Sequence, residues 1–170
     1  MHIRKIVDIM ELDLERCRIG FVRADFEKRI CDFNFELPGE SWNPWEIILP
    51  DTDDVTIHQN SLKFRPDFLN AMLEMIHREV PETNNFEDAI VITVFSILHE
   101  IGHLCNFEEK GMSKEDYIRE ERSERERVTK IEEFAVAFKE YRDLPNEKAA
   151  DQFAFKYLVE ELNKIENMRE

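Results

Sequence analysis

Glycine is scarce in this chain, with four among 170 residues. A loop that cradles phosphate with its backbone amides needs several glycines close together, so that class of nucleotide site is excluded. Cysteine is rarer still: Cys17, Cys31 and Cys105 form no CxxC pair, and three such cysteines fit a reducing compartment. Positive charge is in short supply too. Lys and Arg number 23 against 38 Asp and Glu, and the resulting net charge of −15 disfavours direct binding to a nucleic-acid backbone. No long apolar segment follows Met1-His2-Ile3-Arg4-Lys5-Ile6-Val7, so no signal peptide is expected. The apolar run before His99 is expected to be too short to span a membrane. Together these absences lead to an expected cytoplasmic location, with no membrane partner.

Apolar residues are plentiful, at 42% of the chain with 13 Phe. That suits one domain over residues 1–170, long enough to bury roughly two thirds of its unfolded surface. Residues 1–65 read as strand-rich, with β-prone stretches at Ile3–Val7, Arg18–Val22, Ile30–Phe35, Trp45–Leu49 and Val55–His58 broken by Pro38-Gly39, Asn43-Pro44 and Asp51–Asp54. Residues 66–170 read as helical. Phe68, Met72, Ile76 and Val80 recur at four-residue spacing from Pro66 onward, and Ser113 with Asp116 makes a capping-box-like start for a charged helix. That helix, with Arg119 through Arg127, reads as a solvated face, or else as an arm over a site. The return of Phe134, Ala135 and Phe138 predicts renewed contact with the core. The expected fold class is therefore α+β: a small N-terminal antiparallel or mixed sheet packed on a helical part.

Within the helical part, His99-Glu100-Ile101-Gly102-His103 matches H-E-x-x-H. On a helix, residues four apart share a face, so both imidazoles can reach one ion, with the glutamate near the open metal position. The flanks are uncharged from Asp88 to Glu108 apart from Glu100 itself. Without a metal or a base beside it, burying Glu100 would be costly. Ile90 to Val94 is β-branched and would suit a strand, but the length of the segment and the start signal Asn85-Phe86-Glu87-Asp88 favour a helix ending near Asn106 or Gly111. This donor set suits Zn2+, which needs a third protein ligand.

Cys105 points to another side of that helix. Glu147 is the better candidate, on a helix opened by Pro145. Asp151 lies four residues on, sharing a face with Ala150 and Ala154, so the helix can approach the His99 helix closely. Asp151 can then accept a hydrogen bond from a ligand imidazole. Glu133, or its neighbour Glu132, is the rival ligand.

HEIGH followed by NEKAADQFA resembles the gluzincin metallopeptidases, and the N-E-x-x-x-D part is similar to the thermolysin pattern. E-x-x-A-D-x-F-A in a small chain looks more like the ImmA/IrrE-type metallopeptidases. The likeness covers mainly residues 90–107 and 145–158, and this chain departs from the usual pattern in its wide gap between His103 and Glu147. The resemblance implies a zincin-like fold, a zinc site of His99, His103 and Glu147, Glu100 as general base, and Asp151 as a supporting residue. It also implies peptide or protein substrates, among them transcriptional repressors cut at one site. Tyr117, Tyr141, Tyr157, His58 and His77 are candidate donors to an oxyanion. Val55–His58 or Ser61–Phe64 is the candidate strand for pairing with extended substrate.

Overall fold

The computed structural model describes residues 4–11 and 67–168, with the backbone alone at 3, 17–23, 34–36, 45–51 and 66. The expectation of an α+β fold is overturned. Of the residues whose side chains are described, 86% are helical and none belongs to a strand or sheet, so the fold is helical. The backbone pairs as short strands at Cys17–Arg23, Asn34–Glu36 and Trp45–Asp51, but these contribute no described side chain to the core. The strand readings at 30–33 and Val55–His58, the candidate substrate strand and His58 fall outside the described residues.

Ile3–Val7, expected as a strand, lies in helix α1 (Ile3–Met10). Its β-branched residues suited a strand, but Ile6, Val7 and Met10 are buried while Arg4, Lys5 and Asp8 are exposed, which is a helical period. Helix α2 (Pro66–Glu79) presents Leu69, Met72 and Ile76 to the core, with Phe68 and Leu73 half-buried beside them. A 3-10 turn at Pro81–Asn85 follows, pinned by the buried Thr83, whose hydroxyl bonds the His77 ring at 2.8 Å.

Two long helices form the centre: α3 (Asp88–Lys110) and, after α4 (Lys114–Val128) and α5 (Phe134–Arg142), α6 (Pro145–Asn167). The Ile90–Leu98 stretch of α3 is buried on nearly every side, which settles the strand-or-helix ambiguity of its β-branched run. By length and composition α3 could cross a membrane, but 67% of its most apolar stretch is packed inside this protein. It stops at Gly111, whose φ of 59° is the left-handed cap that glycine adopts without strain.

Ser113 caps α4 by accepting from the Asp116 amide at 3.2 Å. Only Tyr117 and Val128 of that helix are buried. The expected return to the core is made at Phe138, which is half-buried against the core and edge-on to Phe68 at 5.8 Å, whereas Phe134 is 41% exposed and no residue of α5 is fully buried. Helix α5 also contributes the pair at its end, Tyr141 and Arg142.

Candidate metal centre

Helix α3 carries His99, Glu100 and His103, and α6 carries Glu147 and Asp151 one turn apart. The two helices touch almost without side chains between them. Ala150 and Ala154 are fully buried on the α6 face, and a Cβ added to Gly102 would lie 2.7 Å from the Ala150 Cα. Only glycine fits there. The small residues thus bring residues 44 to 52 apart in sequence into one buried cluster.

In that cluster His99 Nε2 lies 3.1 Å from His103 Nε2 and 3.3 Å from Glu147 Oε2, and His103 Nε2 lies 3.8 Å from Glu147 Oε2. A tetrahedral ion with bonds of about 2.0–2.1 Å requires its donor atoms to be about 3.3 Å apart. The three donors therefore fit such an ion with little adjustment. All three residues are buried, and Glu147 Oε2 has no hydrogen-bond partner. A buried group of His99, His103 and Glu147 that can hold a metal ion is thus present. Two imidazoles and a carboxylate suit a divalent transition-metal ion. Glu132 and Glu133 are exposed, with Glu133 at the N-cap of α5, and neither joins the group. Nor does the half-buried Cys105.

His99 and Glu147 are held from behind by hydrogen bonds, and a carboxylate faces the rear of His103. His99 Nδ1 lies 2.9 Å from Asp151 Oδ1, which fixes the tautomer with Nε2 turned to the cluster. Asp151 is gripped in turn by Arg142, whose Nε donates to Oδ2 at 2.9 Å while Nη2 donates to Oδ1. Tyr141 donates to Glu147 Oε1 at 2.7 Å, and Arg125 Nη2 donates to the same oxygen at 3.0 Å. Glu121 Oε1 stands 3.7 Å from His103 Nδ1.

Sequence reasoning missed Arg142, Arg125 and Glu121 as parts of this site. One signal existed. Glu121 and Arg125 are four apart, so they lie on one face of α4 and reach His103 and Glu147 together. The same spacing is what a solvated, charge-paired helix shows.

The electrostatics favour positive charge at the cluster. Burial works against a His99 imidazolium, but the Asp151 hydrogen bond and the Glu147 carboxylate 3.3 Å away outweigh it and raise the group to about 9. Burial and then the charge of His99 push His103 down to about 3, leaving it neutral. For Glu147, burial raises the carboxyl, yet the close His99 ring and the charges of His99, His103 and Arg142 hold it well below the usual range. Burial lifts Glu100 to about 8, opposed chiefly by His99. An ion at the three donors would oppose that lift in the same way, favouring the carboxylate that a base requires.

Three of the candidate oxyanion donors are already engaged. Tyr141 serves Glu147, the Tyr117 hydroxyl donates to the His103 carbonyl at 3.3 Å, and His77 bonds Thr83 and Asp88. The Tyr157 ring packs on Phe153. No protein-family model, curated protein or solved structure matches the chain.

Proposed function

We propose that the chain is a zinc-dependent hydrolase, a peptidase of the gluzincin kind. The observation that carries this reading is the buried triangle of His99 Nε2, His103 Nε2 and Glu147 Oε2, with edges of 3.1, 3.3 and 3.8 Å. Beside it stands Glu100, a buried carboxyl that none of these contacts uses as a donor to the ion. Zinc at such a set supplies Lewis acidity, making water nucleophilic near neutral pH and polarising a carbonyl. Glu100 accepts the proton of the attacking water as the new C–O bond forms, then delivers it to the amine as the C–N bond breaks. Asp151 keeps the His99 ring oriented throughout, and Arg142 keeps Asp151 in place.

The substrate class proposed is a peptide segment of a protein. The likeness of HEIGH and NEKAADQFA to the ImmA/IrrE-type pattern supports a transcriptional repressor as that protein. Metal analysis of the purified chain tests the reading. About one equivalent of zinc is expected in the parent protein, and little in His99→Ala or Glu147→Ala. If both variants keep a full equivalent, the site is elsewhere and the reading fails.

A further inference from the structure

The two oxygens of Glu147 have divided surroundings. Oε1 accepts from Tyr141 at 2.7 Å and from Arg125 at 3.0 Å. Oε2 has no hydrogen-bond partner and faces both imidazoles, with Arg142 Nη1 at 3.5 Å. The two donors to Oε1 are themselves braced: the Tyr141 ring has the Arg125 guanidinium 5.8 Å and the Arg142 guanidinium 5.7 Å from its centre. A carboxylate left to itself can give an ion one oxygen or both. A second oxygen from Glu147 would raise the coordination number and crowd the position that a catalytic zinc keeps open for water. We propose that Tyr141 and Arg125 are positioning residues that occupy Oε1, restrict Glu147 to a single ligating oxygen, and so preserve the open position. This rests on the metal-site reading above.

Helix α4 is therefore more than a charged strap on the surface. Its Arg125 sets the geometry of a ligand from 22 residues away, together with the last turn of α5. Cobalt titration of the metal-free protein tests the proposal, because the visible absorption of cobalt weakens as its coordination number rises. The parent protein is expected to bind one equivalent with the strong bands of a four-coordinate ion. In the Tyr141→Phe, Arg125→Gln double variant the stoichiometry is expected to hold while band intensity falls several-fold, with each single variant in between. An unchanged spectrum at full stoichiometry in the double variant overturns the proposal and leaves the metal site standing. Loss of cobalt from a double variant with native circular dichroism also overturns it, since the pair would then be needed to bind at all. If the double variant does not fold, Tyr141→Phe alone decides, by the same two criteria. A parent protein that binds no cobalt sinks the metal-site reading itself.

Discussion

Arg142 lies along Asp151 with two nitrogens of its guanidinium on the two carboxylate oxygens, and Asp151 Oδ1 is the atom that holds His99 Nδ1. His99 is thus supported through two layers, a buried carboxylate and a largely covered guanidinium. Arg142→Lys keeps the charge but loses the planar fork, so Asp151 gains freedom to turn. Zinc affinity is expected to fall about 10- to 100-fold, the usual effect of losing such support. Arg142→Ala leaves a buried carboxylate without its partner and is expected to cost about 3–5 kcal/mol of stability as well. Chelator competition and urea denaturation read the two effects separately. Parent-like affinity in Arg142→Lys would show that Asp151 needs no such brace.

Gly102 carries a different kind of constraint. A methyl group there meets the Ala150 Cα at 2.7 Å and the Ala150 carbonyl oxygen at 2.8 Å, both backbone atoms that cannot rotate aside. Gly102→Ala must therefore push α3 and α6 apart. Overpacking of this kind costs about 1–3 kcal/mol. Because His99 and His103 stand on one helix and Glu147 on the other, the same shift opens the donor triangle. Lower melting temperature together with lost zinc stoichiometry is expected. A variant that is destabilised yet binds zinc normally would show that the cluster tolerates the separation.

These two cases show why some of the site was legible in the sequence and some was not. His99, Glu100 and His103 follow from helical periodicity within five residues, and Glu147 with Asp151 from the same rule on α6. Ala150 and Ala154 announced a close approach, and Gly102 is its other half. Arg142, Arg125 and Glu121 carry no such mark. They sit among many charges, and the partners of Arg142 and Arg125 on α6 become neighbours only when α4, α5 and α6 pack. At the N-terminus the β-branched Ile3, Ile6 and Val7 suggested a strand, and the burial of Ile6, Val7 and Met10 shows that period outranks propensity.

Glu100→Gln separates metal binding from chemistry. The amide is nearly the same shape and cannot take a proton, so zinc content is expected to be unchanged while peptide turnover falls by about 10²–10⁴-fold. A second readout is stability. Burial raises Glu100 to about 8, so its ionisation opposes folding at alkaline pH. The metal-free Glu100→Gln protein should therefore lose less stability than the parent as pH rises from about 4.5 to 8, and the two should run parallel above that. Full activity in the variant would remove Glu100 as the base.

The metal-free protein should weaken as pH rises from about 6.5 to 9, and zinc binding should strengthen over the same range. His99 is raised from 6.5 to about 9, so the folded state keeps a proton that the unfolded chain has lost. That stabilisation is complete below pH 6.5 and is lost as pH climbs through 9. Glu100, raised from 4.5 to about 8, acts in the same direction, because the unfolded chain ionises first. His103, lowered to about 3, acts the opposite way, but its effect ends near pH 6.5. A fall of several degrees in melting temperature is expected between pH 6.5 and 9. Zinc takes the place of the His99 proton and favours the Glu100 carboxylate, so its apparent affinity should rise by about tenfold or more per pH unit over that interval. At pH 7.5 loading should release about one to two protons, one from His99 and part of one from Glu100, which titration calorimetry in buffers of different ionisation enthalpy measures. An affinity that stays flat from pH 6.5 to 9 would mean that no ligand carries the proton, and the charge assigned to His99 would be wrong.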